Sequence, residues 1–113
     1  MHSNSEYAKL TQISTKEYDP EKGRPVAVLL QEVSQLEQET GLSFEQDVDD
    51  LGNFEWAAIR VGSGAEYALV HHEGSSEGVE VFGDPAVADI GELANGLGIP
   101  SSAFIDTRPG LNS

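Results

Sequence analysis

Phe54-Glu55-Trp56-Ala57-Ala58-Ile59-Arg60-Val61, followed by Gly62-Ser63-Gly64 and then Ala65-Glu66-Tyr67-Ala68-Leu69-Val70-His71-His72, is the stretch on which the fold turns. Both runs are rich in β-branched and aromatic residues, and a Gly-containing loop separates them, the signature of a β-hairpin. A three-residue loop with Gly64 in the left-handed conformation sets Arg60 opposite Glu66, a favourable cross-strand charge pair. A two-residue loop would break that pair. The same register sets Trp56 opposite Val70, Ala58 opposite Ala68 and Glu55 opposite His71. Ala57, Ile59, Val61, Tyr67 and Leu69 then share the other face. Both faces are apolar, so the hairpin needs cover on each side, or it leaves one face for a partner.

Downstream, residues 73–78 read as a loop and Val79 to Phe82 as a third strand. Asp84 fits an N-cap with Pro85 at the first helical position, and Val87, Ile90, Leu93, Ala94 and Leu97 form an apolar stripe. Gly91 and Gly96 weaken that helix by about 1 kcal/mol each relative to alanine. Upstream, Pro25 opens a predicted helix over 25–40, with Val26, Leu29, Leu30, Val33 and Leu36 at helical spacing. Gly41 closes it as a left-handed cap, and Leu42 packs back. Ser43 with Gln46 three residues on resembles a capping box. Phe44, Val48 and Leu51 then predict a short second helix ended by Gly52, its other face carrying Glu45, Asp47, Asp49 and Asp50.

These elements predict an α+β fold in a small single domain over 25–108: a three-stranded antiparallel sheet with helices packed on one face. Residues 1–24 are expected to form a weakly ordered N-terminal segment. Within it Tyr7 to Ser14 alternates like an edge strand and Asp19 to Gly23 has turn chemistry. Residues 109–113 are expected to be a C-terminal tail.

Composition excludes several classes of function. The chain has 113 residues and no cysteine, so disulfide scaffolds, thiol nucleophiles and cysteine-ligated metals are absent. No apolar run approaches the roughly 20 residues of a membrane span. Met1 to Leu10 lacks the apolar core of a secretory signal, so a cytoplasmic location is expected.

Charge is the strongest compositional signal. Twenty acids against six Lys and Arg give a net charge of −14. Residues 1–24 balance to zero, whereas residues 25–107 hold sixteen acids and one base, Arg60. Such a body repels nucleic-acid backbones and anionic membranes and attracts cationic surfaces.

Four short motifs carry possible chemistry. Asp47-Val48-Asp49-Asp50-Leu51-Gly52 resembles the opening of a calcium-binding helix–loop–helix loop. Leu51 at position 5 has no side-chain oxygen, and Ala58 stands where a bidentate Glu is required. His71-His72-Glu73 invites a metal, but adjacent strand residues point to opposite faces and the zincin spacing is missing. Gly62-Ser63-Gly64 lacks the Lys of a phosphate loop, and no serine-nucleophile elbow exists. Leu93-Ala94-Asn95-Gly96-Leu97-Gly98-Ile99-Pro100-Ser101-Ser102-Ala103-Phe104 resembles a helix-turn-helix core. Its would-be recognition segment carries Asp106 and Pro109 and has no cluster of bases.

The sequence thus favours a small acidic, non-enzymatic binding protein that masks the cationic surface of a partner, without cofactor or metal. The partner class is a basic protein, such as a nuclease-type toxin countered by an immunity protein or a nucleic-acid enzyme countered by an inhibitor. Glu37, Glu39, Glu45, Asp47, Asp49, Asp50 and Glu55 are the expected contacts, with Trp56 or Tyr67 as aromatic anchor. Two alternatives belong to other classes: a transcriptional regulator using the 93–104 motif, and a small ligand-binding protein or enzyme using His71 and His72. A homodimer through the second sheet face is compatible with each.

Overall fold

The structure is a computed structural model describing residues 10–74 and 78–108. The predicted hairpin is its centre. Strand β4 (Gly52–Val61) pairs with β5 (Glu66–His72) in the expected register: Arg60 with Glu66, Ala58 with Ala68, Trp56 with Val70 and Glu55 with His71. The Val61 amide donates to the Ala65 carbonyl at 3.0 Å, closing the three-residue loop, and Gly64 takes a φ of 97°. Arg60 fixes the register from the side chains, with Nε and Nη2 at 3.0 and 2.7 Å from one Glu66 oxygen.

The sheet built around this pair has seven strands, which corrects the three-stranded expectation. The others are β1 (Leu10–Ile13), β2 (Arg24–Leu29), β3 (Glu45–Asp49), β6 (Val79–Gly83) and β7 (Phe104–Asp106). All pairings are antiparallel, in the order β1-β4-β5-β6-β2-β7. Strand β4 is ten residues long, and β1 and β3 share its outer edge. Strands β2 and β3 lie where helices were expected, whereas β1 lies within the stretch read as an edge strand.

Residues 25–40 are not one helix. Arg24–Leu29 is strand β2, and only Val33–Thr40 is helical, as α1. The stripe Val26, Leu29, Val33, Leu36 is real as a buried set but spans two elements. A register shift between Pro25 and Ala27 lets Val26 and Ala27 both be buried. Pro25 sits where β2 pairs with β6 alone, beyond the reach of β7, so its missing N–H breaks no ladder on the open side. Gly41 caps α1 with φ 79°, and Leu42 is buried behind it, as expected.

The predicted second helix is strand β3. Its turn is Asp50-Leu51, two residues between paired Asp49 and Gly52, and Gly52 takes φ 119°. Val48 and Leu51 are 65% and 82% exposed, so the apparent helical stripe would have buried little. The last helix, α2 (Ile90–Leu97), starts later than expected, with Asp89 rather than Asp84 as its N-cap. Asp84 instead organises a turn, accepting from the Ala86 amide at 2.9 Å. At the other end Gly98 is left-handed, and the Ile99 amide donates to the Ala94 carbonyl, a Schellman closure.

Two apolar clusters hold the sheet. The larger joins Ile59, Tyr67, Leu69 and Val81 to Leu36 of α1 and Leu93 of α2. The smaller lies on the other face, where Ile13, Ala58, Ala68 and Val70 pack with Tyr18 from the segment after β1. Phe54, Trp56 and Phe82 flank it and are only half-buried. Among the described residues that face is therefore covered at one end and open at the other.

Candidate functional site

The acids singled out from the sequence fall into three groups. The first is the β3–β4 hairpin. Every residue of β3 is exposed. Alternation and pairing place Glu45 opposite Trp56 and Asp47 opposite Phe54, on the face of the smaller cluster. Asp49 and Asp50 stand at the turn. Asp49 is anchored twice: its Oδ1 accepts from the Leu51 amide at 2.9 Å, and its Oδ2 bonds His72 Nε2 at 3.0 Å. The His72 bond is the main reason that the Asp49 carboxyl sits below the ordinary aspartate range. Glu45 accepts from the Thr15 hydroxyl at 3.3 Å, tying the hairpin to the segment that carries Tyr18.

The second group surrounds a cleft of about 920 Å³ between α1 and the sheet, lined by Glu32, Glu37, Glu55 and His71. Glu55 lies on the opposite face of β4 from Trp56, 3.8 Å from His71 Nδ1. Glu37 is engaged with the Phe44 amide at 3.0 Å. Glu39, the third location, hydrogen-bonds Gln35 on the exposed side of α1. The structure thus unites Glu45, Asp47, Asp49, Asp50 and Trp56, and sets Glu37, Glu39 and Glu55 apart.

The aromatic candidates separate cleanly. Tyr67 is fully buried, and its hydroxyl accepts from the Asp89 amide at 2.9 Å, so it anchors the core. Burial pushes its ionisation upward. Trp56 is half-buried and stands edge-on to Tyr18, with ring centroids 6.1 Å apart and planes at 71°. Phe54 lies against the His72 ring at 5.2 Å. Together with Val70 and Phe82 they line an apolar groove beside the acidic hairpin. Sequence reasoning named Trp56 but missed Tyr18, Phe54 and Phe82. Their period-two match to one face was visible for Phe54 alone.

The other motifs do not assemble. Asp47 to Ala58 forms a hairpin rather than a calcium loop, and Asp47 accepts from the Val48 amide. His71 and His72 face opposite sides, toward Glu55 and Asp49 respectively. Among the described residues no group of three or more His, Asp or Glu is placed to hold a metal ion. The 93–104 stretch has no recognition helix: after α2 come a single 3-10 turn over Ser101–Ala103 and strand β7. No described helix is long and apolar enough to cross a membrane.

The two bases after Arg24 are already engaged. Arg60 is bound to Glu66, and Arg108 to Asp106 at 2.6 Å and to the Ala88 carbonyl at 2.8 Å. Neither is placed to neutralise β3. Comparison with known proteins gives no match to any family model, curated protein or solved structure.

Proposed function

We propose that the β3–β4 hairpin is the recognition element of a non-enzymatic binding protein, and that its target is a cationic protein surface. The observation that carries this reading is the pairing of β3, exposed at every position and bearing three acids in five residues, with the half-buried Trp56 beside it. Carboxylates in water steer a basic partner and set its orientation. A tryptophan at the edge of the charged strip supplies apolar area that charge alone does not. Occlusion of the partner's basic surface then follows from contact, as in an immunity protein facing a nuclease-type toxin or an inhibitor facing a nucleic-acid enzyme.

The test is capture with the tagged full chain at low and high salt, beside a variant carrying Glu45→Gln, Asp47→Asn, Asp49→Asn and Asp50→Asn. Basic proteins should be retained at low salt and released as screening shortens the reach of exposed charges to about 8–10 Å and below. The variant should bind them at least tenfold more weakly. Capture of neutral or acidic partners, or retention that ignores both salt and the four substitutions, overturns the reading.

A further inference from the structure

We infer that the groove beside the hairpin is a receptor for one arginine side chain of the cationic partner. This rests on the reading above and adds the chemistry of the central contact. The groove encloses about 300 Å³. Small-molecule sites span roughly 300–1,000 Å³, so a space at the lower limit suits one long side chain rather than a cofactor.

Its walls are aromatic and its rim is anionic. Trp56 and Tyr18 meet edge to face, so their rings form two sides of a corner. Phe54 lies two residues from Trp56 on the same face of β4, and Phe82 contributes from β6. Aromatic faces attract cations, and a guanidinium stacks on them through its plane. Asp49 stands at the rim, Glu80 is paired with Val70 of the groove floor, and Glu45 is paired with Trp56. Asp49 and Glu80 approach the two nitrogens of His72 at 3.0 and 3.9 Å. Asp49 and Glu80 share the single imidazole of His72, so this side of the groove carries more carboxylate than cation.

The same charge decides between occupants. A second copy of the chain would bring another body of net charge −14 against this face, and like charges oppose that contact. A purely apolar ligand would leave the rim carboxylates without a counter-charge. Lysine satisfies the charge but offers neither the stacking plane nor the five-donor fork that two separated carboxylates can share.

Trp56 is the sole tryptophan of the chain, so its emission reports directly on the groove. The full chain is titrated with three short peptides identical except at one position, which is arginine, lysine or citrulline, the neutral isostere of arginine. The arginine peptide should shift Trp56 emission and the methyl resonances of Val70 and Ala68, with the citrulline peptide at least tenfold weaker and lysine between them. Asp49→Asn and Glu80→Gln should each weaken the arginine peptide several-fold. Glu80→Gln serves where loss of the Asp49 bonds loosens the turn. Equal response to arginine and citrulline overturns the inference, as does an apolar dye or self-association occupying the groove in place of the peptides. Salt-sensitive peptide binding that leaves Trp56, Val70 and Ala68 unmoved overturns the groove while the hairpin reading stands. Arginine binding at the groove that is weakened by Asp49→Asn and Glu80→Gln, while partner capture is indifferent to Asp47→Asn and Asp50→Asn, overturns the hairpin reading instead.

Discussion

The carboxylate of Asp49 and the imidazole of His72 are joined at 3.0 Å, linking the tip of the β3–β4 hairpin to the end of β5. This bond, followed by backbone amides including that of Leu51, lowers the Asp49 ionisation from its ordinary value of 3.8. An acid held below its unfolded value stabilises the hairpin tip above that value. The contribution is lost as pH falls through the lowered one. Acid titration should therefore release the Leu51 amide below about pH 4, seen as a resonance shift with the rest of the sheet intact. Asp49→Asn should abolish that transition. A Leu51 resonance that titrates identically in both proteins would show that the bond does not hold the turn.

Tyr18 presents the opposite sign. Its hydroxyl is buried with no hydrogen-bond partner among the described residues, and burial, then the Glu66 charge, push its ionisation from 10.0 up to about 12. The folded state keeps the proton longer than the unfolded chain. Stability is thus full below pH 10 and falls as pH rises from 10 to about 12. Tyr18→Phe should remove this alkaline dependence. At neutral pH it should raise stability by about 1 kcal/mol, because an unsatisfied buried hydroxyl is deleted. Urea midpoints at pH 7 and across the alkaline range give both numbers. A methyl at Gly23 would collide with the same hydroxyl, so Gly23→Ala should cost less in the Tyr18→Phe background than alone.

How much was legible in the sequence follows from where its signals were local. The β4–β5 register was readable because Arg60 and Glu66 select it and because side chains on a strand alternate without ambiguity. The left-handed cap at Gly41 was readable for the same local reason. Strand β2 was not, since Val26, Leu29, Val33 and Leu36 keep helical spacing by coincidence across a strand, a bulge and a helix. Strand β3 was hidden because Phe44, Val48 and Leu51 also mimic a helix, while the real signal was the tight turn Asp50-Leu51-Gly52. At the candidate site, the acids of β3 were visible as a dense run. The groove was not, because Tyr18 and Phe82 reach it only through pairings far apart in the chain.

The two readings of 43–52 separate by stability. A helix stripe would bury Leu51, whereas the hairpin leaves it 82% exposed. Leu51→Ala should change stability by no more than about 0.5 kcal/mol. Leu69→Ala, at a fully buried position of the larger cluster, should cost about 2–5 kcal/mol. Equal costs in chemical denaturation would contradict the packing described.

The acids of β3 have a second physical consequence, which bears on how their removal is to be read. Among the described residues strand β3 pairs with β4 alone, so its outer side offers backbone donors and acceptors to another chain. Edge strands avoid such pairing by carrying charge, and Glu45, Asp47 and Asp49 supply it here. Neutralising the hairpin should therefore promote self-association that grows with protein concentration, measurable by sedimentation. Partner binding and edge protection separate on one variant. Changing Asp47 and Asp49 to Lys keeps the edge charged but reverses its sign. If the acids serve recognition, that protein shows no added self-association and loses cationic targets. If they serve only to guard the edge, it shows no added self-association and binds as before.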